Sequence, residues 1–290
     1  MLHSPHRQSR QRLARERDWW RPLRYLLRLP LLAWHLLVDL PLTLLLASAP
    51  GRMLRLPGGE RLDRFAIRCW QGGLLRVFGF RLRCIGRPNR QPTLFVANHC
   101  SWLDISLIHS QRALAFVAKS EIARWPLVGR IARLADTIYH RRGDTESLAE
   151  VSAAVVACLR SGHSAGVFPE GGALGRVDRV RTFHARMFQV CYDADVPAQP
   201  VALRYLRDGE PAETVAFRVG ESFVANLWRL LGDKGSLAEV HFLEPVALDP
   251  AGRRRMAEAA RQQIASVLER PSPADRDHVG ERKSEVDHVA

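Results

Sequence analysis

The sequence has little of what disulfides, metal centres and nucleotide-binding loops require. Its five cysteines are scattered and odd in number, and no two of them form a C-x-x-C pair. Disulfide bonds and a structural zinc site are therefore not expected, and a reducing compartment is indicated. H-E-x-x-H, Walker A and G-x-G-x-x-G motifs are absent as well, so the sequence predicts no metal and no resident cofactor.

Lysine is also scarce, although the chain is strongly basic. Of 43 basic residues only three are lysines, and the formal net charge is +13 with a pI near 10.6. A codon bias towards arginine would explain the choice of cation but not the surplus of positive charge. The surplus indicates an anionic partner, either nucleic acid or a membrane surface.

The 290 residues are enough for one large domain with an appended segment. Composition and patterning divide the chain into a basic and apolar N-terminus over residues 1–58, an α/β domain over 59–269, and a polar tail over 270–290. The hydrophobic content of 47% excludes wholesale disorder, while the polar composition of the tail favours disorder there.

The N-terminal region combines positive charge with a leucine-rich run. Residues 1–28 carry eight arginines, and residues 29–49 contain ten leucines, interrupted by His35 and Asp39. About 20 apolar residues can span a bilayer, but a charged residue at the centre of a spanning helix costs roughly 2.5–3.5 kcal/mol. The charge argues against a signal peptide, and a buried soluble helix is the alternative. We favour a membrane segment at an anionic cytoplasmic surface, either spanning or lying in the interface.

The remainder predicts an α/β layered domain, with a central mixed sheet flanked by helices and preceded by the N-terminal membrane-associated helical segment. Helical periodicity extends over residues 60–80, with an apolar stripe of Leu62, Phe65, Ala66, Cys69 and Trp70, and helices are also predicted over 144–162 and 250–268. The predicted strands are Leu94–Ala97, Ala115–Ala118, Thr137–His140, Gly166–Phe168, Val201–Tyr205, Val215–Val219 and Glu239–Phe242.

One apparent catalytic motif is excluded by its context. Residues 162–166 read GHSAG, which matches the G-x-S-x-G pattern of serine hydrolases, but that pattern needs a strand before the serine and a helix after it. Here a predicted helix precedes Ser164 and a strand follows. Cys100 is excluded as a partner of the adjacent histidine, because neighbouring residues in extended chain point to opposite sides.

The stretch VANHCSWLD, residues 96–104, is a stronger candidate. It places Asn98 and His99 at the carboxyl end of a predicted strand, the edge where ligands bind in α/β sheets. If a helix follows, Asp104 comes within reach of the same loop. A carboxylate bonded to one ring nitrogen fixes the tautomer and supports the imidazolium that forms when the other nitrogen takes a proton. The alternative is a structural histidine beside an unrelated helix-start aspartate.

Three further stretches follow or form apolar strands. VFPEGG, residues 167–172, is a turn whose backbone can approach a ligand. TIYHRRGD, residues 137–144, ends a strand on paired arginines, which could grip an anion or remain solvated. VPAQPVALRY, residues 196–205, would form a buried strand. Strand ends of this kind converge, so the clusters together favour one site.

In this order the four stretches resemble the glycerolipid acyltransferase family, whose members include lysophosphatidic acid acyltransferases. The resemblance covers roughly residues 60–250, and FHARMFQVCYDADVPAQPVALRY is most similar to bacterial members, including those that acylate lyso-ornithine lipid. The chain departs from the family where Gly172-Ala173-Leu174 replaces Thr-Arg-Ser and where residue 140 is histidine. Both departures lie on the expected acceptor side.

The resemblance implies a role for each candidate residue. His99 would be the general base towards the acceptor hydroxyl, and Asp104 would orient it. Arg142 would hold an anionic headgroup, while Glu170 and Gly171 would shape the acceptor site. Asn98 and Lys119 are further candidates for substrate binding.

The implied reaction is acyl transfer from a thioester of coenzyme A or acyl carrier protein to a lysophospholipid, with 1-acyl-sn-glycerol-3-phosphate as the first acceptor. The alternative is acyl transfer to lyso-ornithine lipid. The implied location is the cytoplasmic face of the inner membrane, with no nucleic-acid partner. The competing hypothesis of another class is a non-catalytic basic protein that binds nucleic acid or membrane, although no nucleic-acid-binding motif is present.

Overall fold

A computed structural model describes residues 18–120, 123, 129, 137–140, 145–173 and 176–269. Within these ranges the helices are α1 (Arg21–Trp34), α2 (Leu40–Leu46), α3 (Ala49–Met53), α4 (Leu62–Val77), α5 (Leu103–His109), α6 (Thr145–Arg160), α7 (Gln189–Ala194), α8 (Phe223–Leu231) and α9 (Arg253–Leu268). The strands are β1 (Arg81–Ile85), β2 (Leu94–Ala97), β3 (Ala115–Lys119), β4 (Ile138–His140), β5 (Ala165–Val167), β6 (Ala198–Arg207), β7 (Glu210–Pro211) and β8 (Leu237–Phe242).

The strands form one mixed sheet in the order β1-β8-β6-β2-β5-β3-β4, with β7 paired to β6. Strands β6, β2, β5, β3 and β4 are parallel to one another, whereas β8 runs antiparallel to β6 and parallel to β1. The carboxyl ends of the five parallel strands therefore meet at one edge of the sheet.

Alternate residues of β2 point into two separate cores, as expected of a strand buried on both faces. Phe95 and Ala97 pack in a cluster with side chains of α4, α5 and α8. Leu94 and Val96 pack in a second cluster with side chains of α6, α7 and α9. The layered α/β prediction, with a central mixed sheet between helices, is confirmed.

The N-terminal segment is helical and docked along one side of the domain. Five residues of π-helix, His35–Asp39, join α1 to α2. This wider turn precedes Pro41, which has no N–H to donate within an α-helix. The run Arg21–Leu46 is long and apolar enough to cross a bilayer, and most of its apolar side chains are exposed. His35 is buried, and its ring stacks on Trp70 of α4 with centroids 5.0 Å apart.

Most strand predictions are confirmed, with two differences. Residues 215–219 are not a strand: Glu213–Val215 form a 3₁₀ turn and irregular chain follows, because the segment leads to α8 instead of pairing. Strand β1 was not predicted, since its alternating arginines hide the apolar signal at this edge of the sheet.

Helix α4 is confirmed, but its buried face is rotated from the predicted one. Ala66 and Trp70 are buried as expected, whereas Phe65 and Cys69 are exposed. The buried face continues through Ile67 and Gln71 instead. The rotation arises because α4 also packs against α2 and α5, so two neighbours determine which side is covered. The predicted C-terminal helix begins at Arg253, and the proposed 270–290 tail lies outside the described residues.

Candidate active site

Polar side chains gather at the sheet edge where the parallel strands end. Asn98 and His99 follow β2, and Glu170 and Gly171 follow β5, the neighbouring strand. Lys119 is the last residue of β3, which pairs with β5 on its other side. The topology thus brings together segments that are up to about 70 residues apart in sequence.

His99 and Asp104 are in direct contact. The Nδ1 atom of His99 lies 2.8 Å from Oδ2 of Asp104, a hydrogen-bond distance. The aspartate side chain is fully buried, while 17% of the histidine side chain is exposed. Because Nδ1 is bonded to the carboxylate, Nε2 is the nitrogen available to a ligand at the open side.

Asp104 is held by donors from both sides. Its Oδ2 atom also accepts backbone N–H bonds from Cys100 at 2.7 Å and Ser101 at 2.9 Å, so the carboxylate closes the loop between β2 and α5. Its Oδ1 atom accepts the hydroxyl of Tyr205 at 2.7 Å. A carboxylate with this many donors is fixed in position and oriented towards the imidazole.

The ring of His99 is fixed by an aromatic stack as well. Phe168, at the end of β5, lies parallel to the imidazole with centroids 4.1 Å apart and planes 18° apart. Phe168 stacks in turn on Phe116 of β3 at 5.4 Å. Gly166 provides the space for this column, because a Cβ there would lie 2.6 Å from the Phe116 ring. The imidazole is therefore held in its plane by packing and along its edge by Asp104.

Glu170 connects three segments around the histidine. Its Oε1 atom accepts the backbone N–H of His99 at 3.0 Å, and its Oε2 atom accepts the backbone N–H of Arg181 at 3.1 Å. Burial raises the pKa of the Glu170 carboxyl, and these two hydrogen bonds act in the opposite direction. The contacts give Glu170 a part in holding the loop, beyond the predicted shaping of an acceptor site.

Gly171 occupies a backbone conformation that favours glycine. Its φ is +77°, and a Cβ there would lie 3.1 Å from the His184 ring. A larger residue would be strained both in its backbone and against this ring. The predicted close approach of chain to ligand at this turn is compatible with that geometry.

The other predicted binding residues have different surroundings. The carboxamide of Asn98 is buried and bonds the backbone N–H and C=O of Leu203 on β6, so it ties the two strands together beneath the site. A direct contact between Asn98 and a ligand is not favoured by this position. The side chain of Lys119, and the whole of Arg141 and Arg142, lie outside the described residues.

Tyr205 is a site residue that the sequence did not reveal. It lies in β6, 101 residues from Asp104, and its side chain is buried. Burial is the main cause that raises the pKa of the Tyr205 hydroxyl well above its usual range, with the charge of Asp104 next. The group therefore stays protonated and donates. In an apolar strand a tyrosine is indistinguishable from a core residue, so only the fold shows this contact.

The two excluded residues remain outside the candidate chemistry. Ser164 lies between the end of α6 and the start of β5, with the order of helix and strand opposite to a hydrolase elbow. Cys100 is buried, and burial, followed by the charge of Asp104, raises the pKa of its thiol well above the usual range. It therefore stays a thiol, which is a poor nucleophile.

Comparisons with known proteins agree with this geometry. The Acyltransferase family model matches residues 81–204. A lyso-ornithine lipid O-acyltransferase from Pseudomonas aeruginosa is 36% identical over 245 residues, covering 83% of this chain and 94% of that protein. A 1-acyl-sn-glycerol-3-phosphate acyltransferase from Neisseria meningitidis is 29% identical over 199 residues, covering 67% of this chain and 77% of that protein.

A solved structure shows the same fold. The crystal structure of the 1-acyl-sn-glycerophosphate acyltransferase from Thermotoga maritima superposes with a TM-score of 0.62 and 18% identity, covering 87% of this chain and 99% of that one.

Proposed function

Since the chain belongs to the acyltransferase family, we propose that it transfers a fatty acyl group from a thioester to the free hydroxyl of a lysolipid. The observation that carries the proposal is the contact between His99 and the buried Asp104 at the strand edge. An oriented imidazole with one free nitrogen is the arrangement that removes a proton from an alcohol.

The reaction that we propose has two steps, which are attack of the acceptor oxygen on the thioester and breakdown of the tetrahedral intermediate. Nε2 of His99 takes the proton of the acceptor hydroxyl as its oxygen attacks the thioester carbonyl. Asp104 stabilises the imidazolium that forms. The tetrahedral intermediate then expels the thiolate, which receives the proton from His99, and the ester remains on the lipid. No acyl group is bonded to the protein at any step.

The acceptor that we propose first is lyso-ornithine lipid. The Pseudomonas aeruginosa relative with that name matches nearly its whole length at 36% identity, a higher identity than the Neisseria meningitidis relative named for 1-acyl-sn-glycerol-3-phosphate. The departure at Gly172-Ala173-Leu174 from the Thr-Arg-Ser of the family pattern that the sequence resembles points the same way. Loss of a guanidinium weakens the case for a phosphate monoester more than for a zwitterionic headgroup. 1-Acyl-sn-glycerol-3-phosphate is the second candidate, supported by the relative with that name.

The experiment that tests the function is acyl transfer from acyl-CoA and acyl carrier protein thioesters to a panel of lysolipids, followed by lipid mass spectrometry. We expect a new ester on lyso-ornithine lipid. Product on 1-acyl-sn-glycerol-3-phosphate alone would mean that this lipid, and not lyso-ornithine lipid, is the acceptor. Failure with every lysolipid and both donors would contradict the proposal.

We propose that the N-terminal segment attaches the protein to the cytoplasmic surface of a membrane, and its exposed apolar side supports attachment to a membrane. Arg24 donates to the carbonyl of Gly232, and Arg28 to those of Leu231 and Asp233. Two arginines of α1 are thus bound to the domain, while most of its leucines and Trp34 are exposed. This two-sided arrangement is that of a helix lying in the interface, because a spanning helix would have to release these contacts. We therefore propose that the segment lies on the bilayer and does not span it.

Tyr205→Phe is expected to lower kcat about tenfold, with the KM values of acceptor and donor within about twofold of wild type. The lost hydroxyl bonds a carboxylate, a contact worth roughly 1.5–3 kcal/mol, and its loss leaves Oδ1 of Asp104 without this donor, which weakens the positioning of the carboxylate against His99. Steady-state kinetics at a temperature where the variant stays folded measure this.

Tyr192→Phe is the matched control for this prediction. The Tyr192 hydroxyl donates to the carbonyl of Asp249 at 2.8 Å, in the core on the other face of the sheet. Tyr192→Phe should lower the free energy of unfolding without a change in kcat. Equal kcat in the two variants would mean that Tyr205 has only a structural role.

If the acceptor is 1-acyl-sn-glycerol-3-phosphate, Arg142→Ala is expected to raise the acceptor's KM by about ten- to a hundredfold, with less effect on the donor's KM. The reason is the loss of a charge-assisted contact to an anionic headgroup. Arg142→Lys should recover only part of it, because a point charge cannot form the two-pronged contact. Arg141→Ala is the adjacent control and should be mild. Equal effects at both positions would indicate diffuse surface charge instead of a specific contact.

A further inference from the structure

Helix α8 has one buried side and one exposed apolar side. Leu230 and Leu231 lie in the core, and Asn226 is fully buried. Val224 and Trp228, one turn apart, are 71% and 50% exposed. Residues four apart lie on the same side of a helix, so these two form a short apolar ridge on the surface.

This ridge adjoins the N-terminal segment. The ring of Tyr25 stacks on Trp228 with centroids 4.7 Å apart, and its hydroxyl donates to the Trp228 carbonyl at 3.0 Å. Arg24 and Arg28 bond the carbonyls at the end of α8. Helices α1 and α8 are therefore in direct contact, and both carry exposed apolar side chains.

The same helix contacts the loop of the candidate active site. Trp102 lies three residues after His99, and its indole N–H donates to Asn226 at 3.0 Å. Its ring also meets Phe223 edge to face, with centroids 5.3 Å apart. Helix α8 thus joins the outward face of α1 to the segment that carries His99 and Asp104.

We propose that α8 is a second bilayer-contacting element, in which Val224 and Trp228 enter the interfacial region of an anionic membrane beside α1. The inference rests on the proposed membrane-bound function. A half-exposed tryptophan next to arginines is suited to the boundary between headgroups and acyl chains. Arg21 and Arg218 are exposed and line one surface pocket at the end of α8, together with Arg229, Asp18 and Asp233, so exposed cations that can attract anionic headgroups lie at the end of the same helix.

This contact places the reaction at the surface from which the lipid comes. Trp102 connects the buried side of α8 with the His99 loop, so a bilayer beneath α1 and α8 would hold the loop close to the headgroup layer. The acceptor could then present its hydroxyl without leaving the membrane. A soluble, short-chain acceptor would not need the contact.

Val224→Glu in the full-length protein tests the proposal. Ala153→Glu is the matched control, because it puts the same charge on an exposed position of α6, which packs on the opposite face of the sheet. Flotation with vesicles of phosphatidylglycerol and phosphatidylcholine should show about tenfold weaker binding for Val224→Glu only. Its activity on a short-chain soluble acceptor should equal that of wild type, while activity on vesicle-embedded acceptor falls.

Quenching by brominated lipids provides the second measurement. Wild-type tryptophan fluorescence should be quenched, and Trp228→Phe should remove part of that quenching. Vesicle binding by Val224→Glu equal to that of Ala153→Glu would overturn the role of α8 alone. Absence of vesicle binding by the wild type would overturn the membrane part of the proposed function together with this inference. A change of oligomeric state without a change in vesicle binding would assign the ridge to a second copy of the chain and also overturn it.

Discussion

Replacing His99 by alanine is expected to lower the kcat of acyl transfer by about 10²–10⁴-fold, the usual contribution of a positioned general base. Nδ1 of the histidine is held by Asp104 and its ring by Phe168, so Nε2 is held in a fixed position from which it can take a proton. The KM of the acceptor should change little, because the histidine acts on a proton that moves only in the transition state. Steady-state rates with the acceptor identified by mass spectrometry measure the loss.

The fold should survive this substitution. Asp104 keeps the backbone N–H groups of Cys100 and Ser101 and the hydroxyl of Tyr205 as donors, so the loop remains closed. His163→Ala is the matched control, since that histidine is exposed at the opposite end of β5. Its activity should equal that of wild type. If His99→Ala also retained near-normal kcat, general base catalysis by this residue would be ruled out.

The sequence predicts the site well where chemistry and strand ends coincide. Asn98 and His99 directly follow a short run of apolar residues, which the structure shows as β2, and Glu170 follows β5 in the same manner. Convergence of parallel strand ends then brings them together without further information. The approach of Asp104 to the histidine was conditional on a helix after this loop, and α5 meets that condition.

What the sequence could not provide are contacts that depend on the tertiary fold. Tyr205 approaches Asp104 only because β6 lies beside β2 in the sheet. Glu170 has a loop-holding role because Arg181 and His99 place their backbone N–H groups around it. Neither contact produces a periodic pattern of residues in the sequence. The segment at 215–219 shows the reverse case, since β-branched residues there suggested a strand but the chain turns towards α8.

The N-terminal segment illustrates a third limit. Its composition indicates a membrane helix, but composition alone left spanning and interfacial arrangements open. The choice depends on Arg24 and Arg28, which look like flanking charges in the sequence. In the structure they bond the carbonyls at the end of α8. Because these contacts hold α1 against the domain, they favour the interfacial arrangement that we propose over a spanning one.

Asp104→Asn is expected to lower kcat by about 10²–10⁴-fold while the protein stays folded. The amide oxygen can replace Oδ2 and accept the three N–H donors of His99, Cys100 and Ser101. The amide nitrogen then replaces Oδ1 and meets the Tyr205 hydroxyl, which can rotate to accept a hydrogen bond. The geometry is thus preserved and only the negative charge is lost. Without that charge, the imidazolium formed in the transition state has no anionic partner.

Two comparisons separate this charge effect from a general loss of structure. Asp195→Asn is the matched control, because Asp195 is exposed before β6 in a left-handed conformation that asparagine also adopts. Its kcat should be that of wild type. The second comparison is a double-mutant cycle with Tyr205→Phe. If Tyr205 acts by holding the carboxylate, its substitution should cost about tenfold in the wild-type background and much less in Asp104→Asn. Additive losses would show that the two residues act independently. A fully active Asp104→Asn would show that the negative charge of Asp104 is not needed for catalysis.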